Sequence, residues 1–260
     1  MNKFYIYLIS IAVLFPTSFV FAHHLESTTI ESIDSTISIP LLHTNTVSGI
    51  SLDIADLGND GTSEIIIGNG MGLEPRVSVL RKDGTEIGSF LAYAPSLGVG
   101  INVIACDLTG DGYNEIIVAP QRGGGPHIRI FNRLGEAIDS GGFFAYAPSM
   151  REGVNLACGD LTGDARAELV TLPAPGGGAH VRIWGWDGEP TLVENFFAFH
   201  IDDRSGLVGT VHNKKLFLIQ QHTSTPTKKV FVIHSSVTTT NEETFSIDGL
   251  GVQSLEVHDD

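Results

Sequence analysis

Hydrophobic and polar residues alternate in short segments along most of the chain, which is the pattern of strands that are buried on one face. The clearest segments are residues 76–80, 127–131 and 180–184, and each of them follows a glycine-rich turn. Because a strand points successive side chains to opposite faces, the alternation predicts an all-β fold. The 30 glycines and the scarcity of helical periods favour the same class.

An acid-rich phrase of nine residues lies before each of these segments. It begins at Asp56, Asp107 and Asp160, and every copy has acids at positions 1, 5 and 9. Apolar, strand-like segments lie directly before and after each copy. The copies recur with a period of about 50 residues, and four short strands in a unit of that length are typical of a β-propeller blade.

An aromatic phrase closes each unit, at residues 90–93, 143–146 and 196–199. Together with the acid loop and the phrase at 123–131, it resembles the FG-GAP or VCBS-type repeat, the blade of the integrin α head and of many bacterial secreted proteins. The resemblance covers roughly residues 47–204. It implies that the acid loop joins the first two strands of a blade and binds Ca²⁺. It also implies adhesion or interaction, in a ring that usually has more blades than this chain can supply.

The remaining segments predict how the chain is divided. Residues 1–22 have the polar start, apolar stretch and small-residue cleavage site of a secretory signal peptide, with an uncleaved anchor as the alternative. Residues 23–260 are then a single β-propeller domain, with full units at 47–98, 99–151 and 152–204. A degenerate unit follows at 205–250, where a tight turn at Asn213 and Lys214 replaces the acid loop.

The two ends of the chain are expected to close the ring. Segments 251–260 and 23–46 both have strand patterns, and a blade built from both termini removes exposed sheet edges. We expect about five four-stranded antiparallel blades, with four blades or an incomplete ring finished by a partner as the alternatives.

The acid loops predict calcium sites, because Ca²⁺ prefers oxygen ligands and needs a sharp bend in the loop. The loop at 107 has the best set, with Gly112 at the bend, whereas the loop at 160 has Ala165 there and Arg166 beside it. The alternative is a hydrogen-bonded turn without metal. The predicted ligands are Asp107, Thr109, Asp111, the Tyr113 carbonyl and Glu115 in the second loop, Asp56, Asp60, Thr62 and Glu64 in the first, and Asp160, Thr162, Asp164 and Glu168 in the third.

The net charge of the chain narrows the classes of binding partner that can be expected. The chain has a formal charge of −15 at pH 7, and removal of the signal peptide takes away one lysine and no acid, which gives −16. Such a surface repels phosphate backbones and anionic lipid heads, so we expect no nucleic acid and no membrane insertion after cleavage. The signal predicts a secreted, periplasmic or cell-surface protein, whose expected partner is an extracellular protein or glycan.

Cys106 and Cys158 occupy nearly equivalent positions in successive units. Counted from Asn102 and Asn155 they differ by one position, and neighbouring residues of a strand point to opposite faces. We therefore expect two buried free thiols rather than a disulfide.

No catalytic motif occurs in the chain, and the repeats account for its clustered acids. We therefore expect a calcium-binding interaction module that is not an enzyme. The alternative is a polysaccharide-acting hydrolase or lyase with a carboxylate pair outside the loops, for which Asp53, Asp202 and Asp203 are the candidates. His127 and His180 recur at equivalent positions and are expected to serve the blade.

Overall fold

The computed structural model describes residues 22–23, 27–31, 36–40, 48–221, 223, 227–233 and 237–244. The predicted signal peptide up to residue 21 and the predicted closing strand at 251–260 lie outside the described residues. Within them the chain forms strands joined by turns, with one short 3₁₀ turn at Pro95–Leu97. No helix in this part of the chain is long and apolar enough to cross a membrane.

The strands are, in chain order, β1 (Ala22–His23), β2 (Ser27–Glu31), β3 (Thr36–Pro40), β4 (Ser48–Ala55), β5 (Glu64–Gly68), β6 (Arg76–Leu80), β7 (Glu86–Leu91), β8 (Ile101–Cys106), β9 (Glu115–Pro120), β10 (His127–Phe131), β11 (Phe143–Phe144), β12 (Val154–Gly159), β13 (Glu168–Pro173), β14 (His180–Trp186), β15 (Pro190–Phe197), β16 (Leu207–His212), β17 (Lys215–Gln220), β18 (Thr227–Ile233) and β19 (Val237–Thr244).

These strands form four consecutive antiparallel sheets and one separate hairpin. The first sheet has the order β1-β4-β5-β6-β7, in which β1 covers the edge of β4. The second, third and fourth sheets contain β8 to β11, β12 to β15 and β16 to β19, and in each the strands pair in chain order. The hairpin is β2-β3. The fold is therefore all-β, and each series of four strands lies within one sequence repeat.

Burial decreases from the first strand of a sheet to the fourth. In the second sheet every residue of β8 and β9 is buried. The next strand, β10, alternates over its first four residues, with Ile128 and Ile130 buried and His127 and Arg129 more exposed. The fourth strand of the first sheet, β7, is almost entirely exposed. Each of the first three sheets therefore runs from an interior first strand to a more exposed fourth strand, which explains why β8 and β9 are largely continuous apolar segments.

Side-chain hydrogen bonds join the first strands of neighbouring sheets. The Val103 amide donates to Ser51 Oγ (3.1 Å), which links β8 to β4. Asn102 Nδ2 donates to a backbone carbonyl of β12 (2.8 Å), and Asn155 Nδ2 donates to one of β16 (2.7 Å). The four first strands therefore lie side by side in chain order. Within the described residues no strand pairing joins the first sheet to the fourth.

Apolar side chains fill the space between neighbouring sheets. Ile104 and Ile117 of the second sheet pack with Leu156 of the third in one buried cluster. Val103, the neighbour of Ile104, faces the other way and packs with Ile66 of the first sheet. Adjacent positions of one strand thus serve two different interfaces. Burial of a side chain of this size contributes about 1.5–3 kcal/mol, so the sheets are held mainly by these contacts.

Tyrosine hydroxyls fasten each of the first two sheets to the next one. The Tyr93 hydroxyl lies 2.8 and 2.6 Å from two backbone carbonyls in the second and third strands of the second sheet. The Tyr146 hydroxyl makes the same contacts with the third sheet, at 2.6 and 2.8 Å. Both come from the aromatic phrase that closes a unit. The third unit has Phe199 at this position and cannot make the bond.

Cys106 and Cys158 form a disulfide between the first strands of the second and third sheets, with their Cα atoms 6.4 Å apart. The prediction of two free thiols is therefore wrong. Successive sheets meet front to back, so side chains that face each other across the interface differ by one position in the repeat. Cys158 is equivalent to Ala105, and this offset of one residue is what brings the two thiols together.

The fourth unit contains the tight turn that the sequence predicts. Asn213 and Lys214 both have a left-handed backbone, with φ of +46° and +59°, and His212 pairs with Lys215 across the turn. Two successive residues with positive φ form a type I′ turn, whose twist matches that of the paired strands. The fourth sheet therefore has no acid loop.

Candidate functional site

The three acid loops lie at the same end of their sheets. Each loop joins the first strand to the second: residues 56–63 follow β4, 107–114 follow β8 and 160–167 follow β12. Because paired strands are antiparallel, the glycine-rich turns after the second strands lie at the opposite end. We call the end that carries residues 56–63, 107–114 and 160–167 the acid-loop end.

The second loop is organised by its first carboxylate. Asp107 Oδ1 accepts hydrogen bonds from the amides of Gly110 (2.6 Å) and Asp111 (3.1 Å), and Oδ2 accepts one from Gly112 (2.8 Å). Asp111 Oδ1 accepts a further bond from the amide of Tyr113 (2.9 Å). Gly112 has φ +87°, a conformation that glycine adopts without strain. These bonds build the sharp bend that the sequence predicts.

Glu115 closes the base of this loop from the first residue of β9. Its Oε2 accepts hydrogen bonds from the amides of Leu108 (2.9 Å) and Thr109 (3.2 Å). Burial raises the pKa of Glu115 to about 7; the two amides oppose the shift, and the charges of Asp111 and Asp107 add to it. The Thr109 hydroxyl is buried and has no hydrogen-bond partner among the described residues. A carboxylate with a raised pKa and an unsatisfied hydroxyl therefore meet at the base of the loop.

The first loop repeats this arrangement. Asp56 accepts hydrogen bonds from the amides of Asp60 (3.1 Å) and Gly61 (2.7 Å). Glu64, at the start of β5, accepts one from the amide of Leu57 (3.0 Å). Burial raises the pKa of Glu64 as well. The first loop therefore has the same frame as the second, without a side chain at its third position.

The third loop has the same frame and the least suitable surroundings for a cation. Asp160 accepts a hydrogen bond from the amide of Ala165 (3.2 Å). The Thr162 hydroxyl donates to Glu168 Oε1 (3.0 Å), so this hydroxyl is already satisfied. Ala165 has φ +71°, a left-handed conformation that costs a non-glycine residue about 1–2 kcal/mol. The ammonium group of Lys214 lies 4.0 Å from Asp160 Oδ2 and supplies positive charge.

The carboxylate of the middle acid in each loop accepts a hydrogen bond from the backbone amide two residues later. Asp60 accepts a bond from Thr62 (2.8 Å) and Asp164 accepts one from Arg166 (2.9 Å), as Asp111 does in the second loop. Such a bond needs an acceptor oxygen and no charge, so an asparagine can make it equally well. The hydrogen-bonded turn and the metal site can therefore be separated by substitution.

The donor chemistry of the loops suits a hard cation, whereas many of their carboxylate oxygens turn toward backbone amides. Within the described residues, no three His, Cys, Asp or Glu side chains come close enough together to hold a metal ion. The second loop fits Ca²⁺ best, because its buried Thr109 hydroxyl has no partner in this part of the chain. The third loop does not fit, because its corresponding hydroxyl is engaged and a lysine lies beside its first acid.

Each loop also contacts the next one. Asn114 Nδ2 donates to the carbonyl of Asp56 (2.8 Å), and the Ala167 amide donates to the carbonyl of Asp107 (2.9 Å). Lys214, in the tight turn of the fourth sheet, lies beside Asp160 and so brings this turn into contact with the third loop. The three loops and the turn therefore form one continuous surface, on which the charge of one loop acts on its neighbours.

An open cleft with a volume of about 520 Å³ lies beside the third loop, where the β14–β15 hairpin turns back toward it. Asp164, Arg166 and Glu168 line the cleft from the loop, and Trp186 and Asp187 line it from the hairpin. Arg166 Nη1 and Asp187 Oδ1 lie 3.9 Å apart. Carboxylates and a guanidinium together can bind hydroxyl groups, whereas Trp186 is buried and packs in the core between the second and third sheets. The cleft could not be expected from the sequence, because it depends on the hairpin folding back onto the loop.

The three acids suggested for catalysis do not form a pair. Asp53 is completely buried in β4, where its Oδ2 accepts a hydrogen bond from the amide of Ala105 (2.7 Å), and burial raises its pKa to about 7. Asp202 is on the surface, with 82% of its side chain exposed. Asp203 accepts a hydrogen bond from the Ser205 hydroxyl (2.7 Å). Asp53 is closed to any substrate and belongs to the contact between the first two sheets.

No family model and no curated protein matches the chain. Among solved structures it is similar to the Bacillus licheniformis rhamnogalacturonan lyase PL11, with 12% identity and a TM-score of 0.48, over 72% of this chain and 47% of that one. It is similar to the rhamnogalacturonan lyase YesW, with 11% identity and a TM-score of 0.48, over 84% and 51%. It is also similar to the exotype rhamnogalacturonan lyase YesX, with 13% identity and a TM-score of 0.48, over 83% and 49%. The chain thus spans about half the length of each of these proteins.

The expectation that the chain is not an enzyme is contradicted by these comparisons, because all three of the proteins are lyases. That expectation rested on the absence of a local motif. Groups that act on a polysaccharide are brought together by the fold and need no such motif, which is why the sequence could not support the exclusion.

Proposed function

We propose that this chain is a secreted or cell-surface β-propeller of the FG-GAP or VCBS type, which binds Ca²⁺ in its acid loops and binds an extracellular protein or glycan. The observation that carries the proposal is the acid-loop end. Three loops with the same acid positions and the same hydrogen-bonded frame lie next to one another there. Asparagine or serine would cap such turns equally well, so the repeated use of Asp and Glu favours a cation.

The four sheets are proposed to be blades, with their first strands around the axis of the ring. Strand β1 is only Ala22–His23, and removal of the proposed signal peptide would take Ala22 away, so the edge of β4 is then open to a closing strand. Segments 23–46 and 251–260 are proposed to complete the ring, which then has about five blades.

The second loop is proposed to bind Ca²⁺ most tightly, followed by the first. A cation there would give the Thr109 hydroxyl a partner and would favour the charged form of Glu115, whose pKa is otherwise raised. Open loops with three carboxylates have a Kd of order 10⁻⁴ to 10⁻³ M, which suits calcium concentrations outside the cell. The third loop is proposed to bind weakly or not at all.

The disulfide supports the extracellular location. Bonds of this kind form and persist in oxidising compartments and are rare in the cytosol. Cys106 and Cys158 join two sheets across their interface, so the bond stabilises the arrangement of the sheets. This agrees with the proposed signal peptide.

Thermal unfolding in about 1–5 mM Ca²⁺ and in excess chelator tests the proposal. The informative variant is Asp111→Asn, because asparagine still accepts the bond from the Tyr113 amide but lacks the charge that a cation needs. We expect calcium to raise the melting temperature of the parent protein clearly and that of the variant much less, while both melt alike in chelator. A calcium effect that is absent from the parent, or equally large in both proteins, would refute the assignment of the second loop.

A second candidate function is cleavage of a polysaccharide, which the cleft beside the third loop favours. Asp164, Glu168 and Asp187 supply carboxylates there and Arg166 supplies positive charge. Burial raises the pKa of Glu168, which is the direction that a general acid requires, although its side chain is buried and accepts hydrogen bonds from Leu161 and Thr162. Incubation with a panel of polysaccharides should release new reducing ends or an unsaturated, ultraviolet-absorbing product, and Glu168→Gln should abolish the release. If no polysaccharide yields product, this second candidate fails.

A further inference from the structure

The end of the sheets opposite the acid loops carries a second repeated set of side chains. His127 begins β10 and pairs with Phe144, and His180 begins β14 and pairs with Phe197. The ring centroids are 4.8 Å apart in the first pair and 4.7 Å in the second. Both phenylalanines remain about half exposed, at 49% and 47%. Two equivalent exposed rings in neighbouring sheets are thus a repeated surface feature.

An arginine accompanies each of these phenylalanines. Arg151 Nη1 donates to the carbonyls three residues and one residue before it, both at 2.6 Å. Arg204 Nη1 donates to the same two positions, both at 2.8 Å. Both side chains are exposed. The backbone therefore holds each guanidinium in one orientation at the surface, which lowers the entropy that the side chain loses on binding.

A glycine lies beside each arginine, and in the second sheet it lies beside the ring as well. A Cβ at Gly125 would lie 3.6 Å from Arg151 Nη1 and 3.8 Å from Phe144 Cε1, and a Cβ at Gly178 would lie 3.6 Å from Arg204 Nη1. These are ordinary contact distances, and neither glycine has a left-handed backbone. Neither the turn nor the packing therefore requires glycine there. Its effect is to leave the surface between ring and guanidinium uncovered.

The first sheet lacks this arrangement and provides an internal comparison. Leu91 takes the place of the phenylalanine, and Gly98 takes the place of the arginine. Glu74 takes the place of the uncovered glycine and forms an ion pair at 3.3 Å with Arg76, which stands where the other units have histidine. The sheet thus folds without the exposed ring, the arginine or the open glycine, so folding does not explain them in the second and third sheets.

Charge at this end suits an anionic ligand. Nine of the chain's 30 acids lie at the opposite end, in the three loops or at the first residue of the strand after each. The acids closest in sequence to Arg151 and Arg204 are Glu152 and Asp203, which each accept a hydrogen bond from a backbone amide, at 2.9 and 2.7 Å. Asp202 lies 3.6 Å from a histidine nitrogen. The two guanidinium groups therefore lie at the end opposite the three acid loops.

We propose that the second and third sheets each carry a subsite for an acidic polysaccharide, formed by Phe144 with Arg151 and by Phe197 with Arg204. The exposed phenylalanine offers an apolar face on which the C–H face of a pyranose ring packs. The guanidinium pairs with the carboxylate of a uronate unit, which planar geometry allows it to hold with two hydrogen bonds. This inference rests on the glycan-binding part of the proposed function and not on the calcium loops. One polymer chain with repeating units can occupy both subsites at once.

Binding of polygalacturonate to the full-length protein, measured by retardation in gels cast with the polymer, tests the inference. Gly125→Glu, Gly178→Glu and the double variant introduce into the second and third sheets the residue that the first sheet has. We expect each single variant to weaken binding and the double variant to weaken it by about 100-fold or more, because both sites of a bivalent contact are then lost. Leu91→Ala, at the equivalent place in the first sheet, should leave binding unchanged.

Melting temperatures establish that the variants are folded, and Arg151→Gln with Arg204→Gln gives a second test that leaves the glycines unchanged. No binding by the parent protein, or undiminished binding by both double variants, would overturn the inference. Equally strong binding of neutral dextran would overturn the acidic class of ligand.

The calcium response is measured separately: a protein that responds to calcium but does not bind polygalacturonate keeps its calcium sites and loses this inference. A protein that binds polygalacturonate but does not respond to calcium keeps this inference and loses the proposed calcium sites.

Discussion

The Tyr146 hydroxyl of the second sheet lies 2.6 Å from the Thr171 carbonyl of the third. The same oxygen lies 2.8 Å from the carbonyl of His180, so its single proton is shared between two neighbouring strands of the next sheet. Burial raises the pKa of Tyr146 well above its ordinary value, and the hydroxyl therefore stays protonated as a donor. Tyr93 repeats the contact one unit earlier, whereas Phe199 ends the series. The first three sheets are thus joined by hydroxyl groups, whereas Phe199 of the third unit offers none to the fourth sheet.

Replacement of Tyr146 by phenylalanine should lower the free energy of unfolding by about 1–2 kcal/mol. The hydroxyl would be lost while the carbonyls of Thr171 and His180 stay near the interface without their partner. Urea denaturation measures the change. Tyr113→Phe is the matched control, because that side chain is 43% exposed and should change stability by less than about 0.5 kcal/mol. Equal stability of the two variants would show that the inter-sheet hydroxyl contributes nothing.

Removal of the disulfide by Cys106→Ala with Cys158→Ala should cost about 2–4 kcal/mol, because the bond closes a long loop in the unfolded chain. Denaturant unfolding of the parent and the double variant, both without reductant, measures the difference. Thiol labelling of the denatured, unreduced parent should find no free thiol. Two labelled cysteines per chain would instead restore the free-thiol prediction.

Stability should depend on pH through Asp53. Its pKa is about 7 in the folded chain and near its ordinary, lower value in the unfolded chain, so between these values the folded state binds more protons. The free energy of unfolding therefore falls as pH rises toward 7, with a slope of at most about 1.4 kcal/mol per pH unit from this group. Asp53→Asn keeps an acceptor for the Ala105 amide and should show a smaller slope between pH 5 and 7.5 in chelator, which denaturant unfolding would measure. Parallel pH curves for parent and variant would contradict this role.

The bend of the third loop should be improved by Ala165→Gly. The alanine has φ +71°, and glycine removes a cost of about 1–2 kcal/mol while adding some unfolded-state entropy, so a net gain of about 0.5–1 kcal/mol is expected. Gly112→Ala, at the equivalent position of the second loop with φ +87°, should lower stability instead. Thermal unfolding in chelator compares them. Changes of the same sign in the two variants would mean that the two bends are not equivalent.

The local pattern of hydrophobic and polar residues was sufficient to predict the strands and their repetition. The alternation at 127–131 corresponds to β10, with Ile128 and Ile130 on its buried face. The replacement of an acid by Asn213 was sufficient to predict the tight turn in the fourth unit, because such a turn depends on the backbone preferences of only two residues.

Contacts between sheets were beyond the reach of such patterns. The pairing of Cys106 with Cys158 depends on sheets that meet front to back, which the alternation within one strand does not reveal. The approach of Trp186 to Asp164 depends on a hairpin that folds back over the loop. The acids of the loops were found from their spacing, but the direction of the Glu115 carboxylate is set by the backbone amides of Leu108 and Thr109, whose positions the spacing does not reveal.

Terbium luminescence tests the central claim, a calcium site in the second loop, most directly. Tb³⁺ occupies calcium sites and emits when a nearby aromatic ring is excited, and Tyr113 lies within this loop. We predict emission from the parent protein that Ca²⁺ displaces with a Kd of order 10⁻⁴ to 10⁻³ M, and that both Tyr113→Phe and Asp111→Asn greatly reduce. No sensitised emission from the parent, or emission that Asp111→Asn leaves unchanged, would contradict the calcium site and leave the loop as a hydrogen-bonded turn.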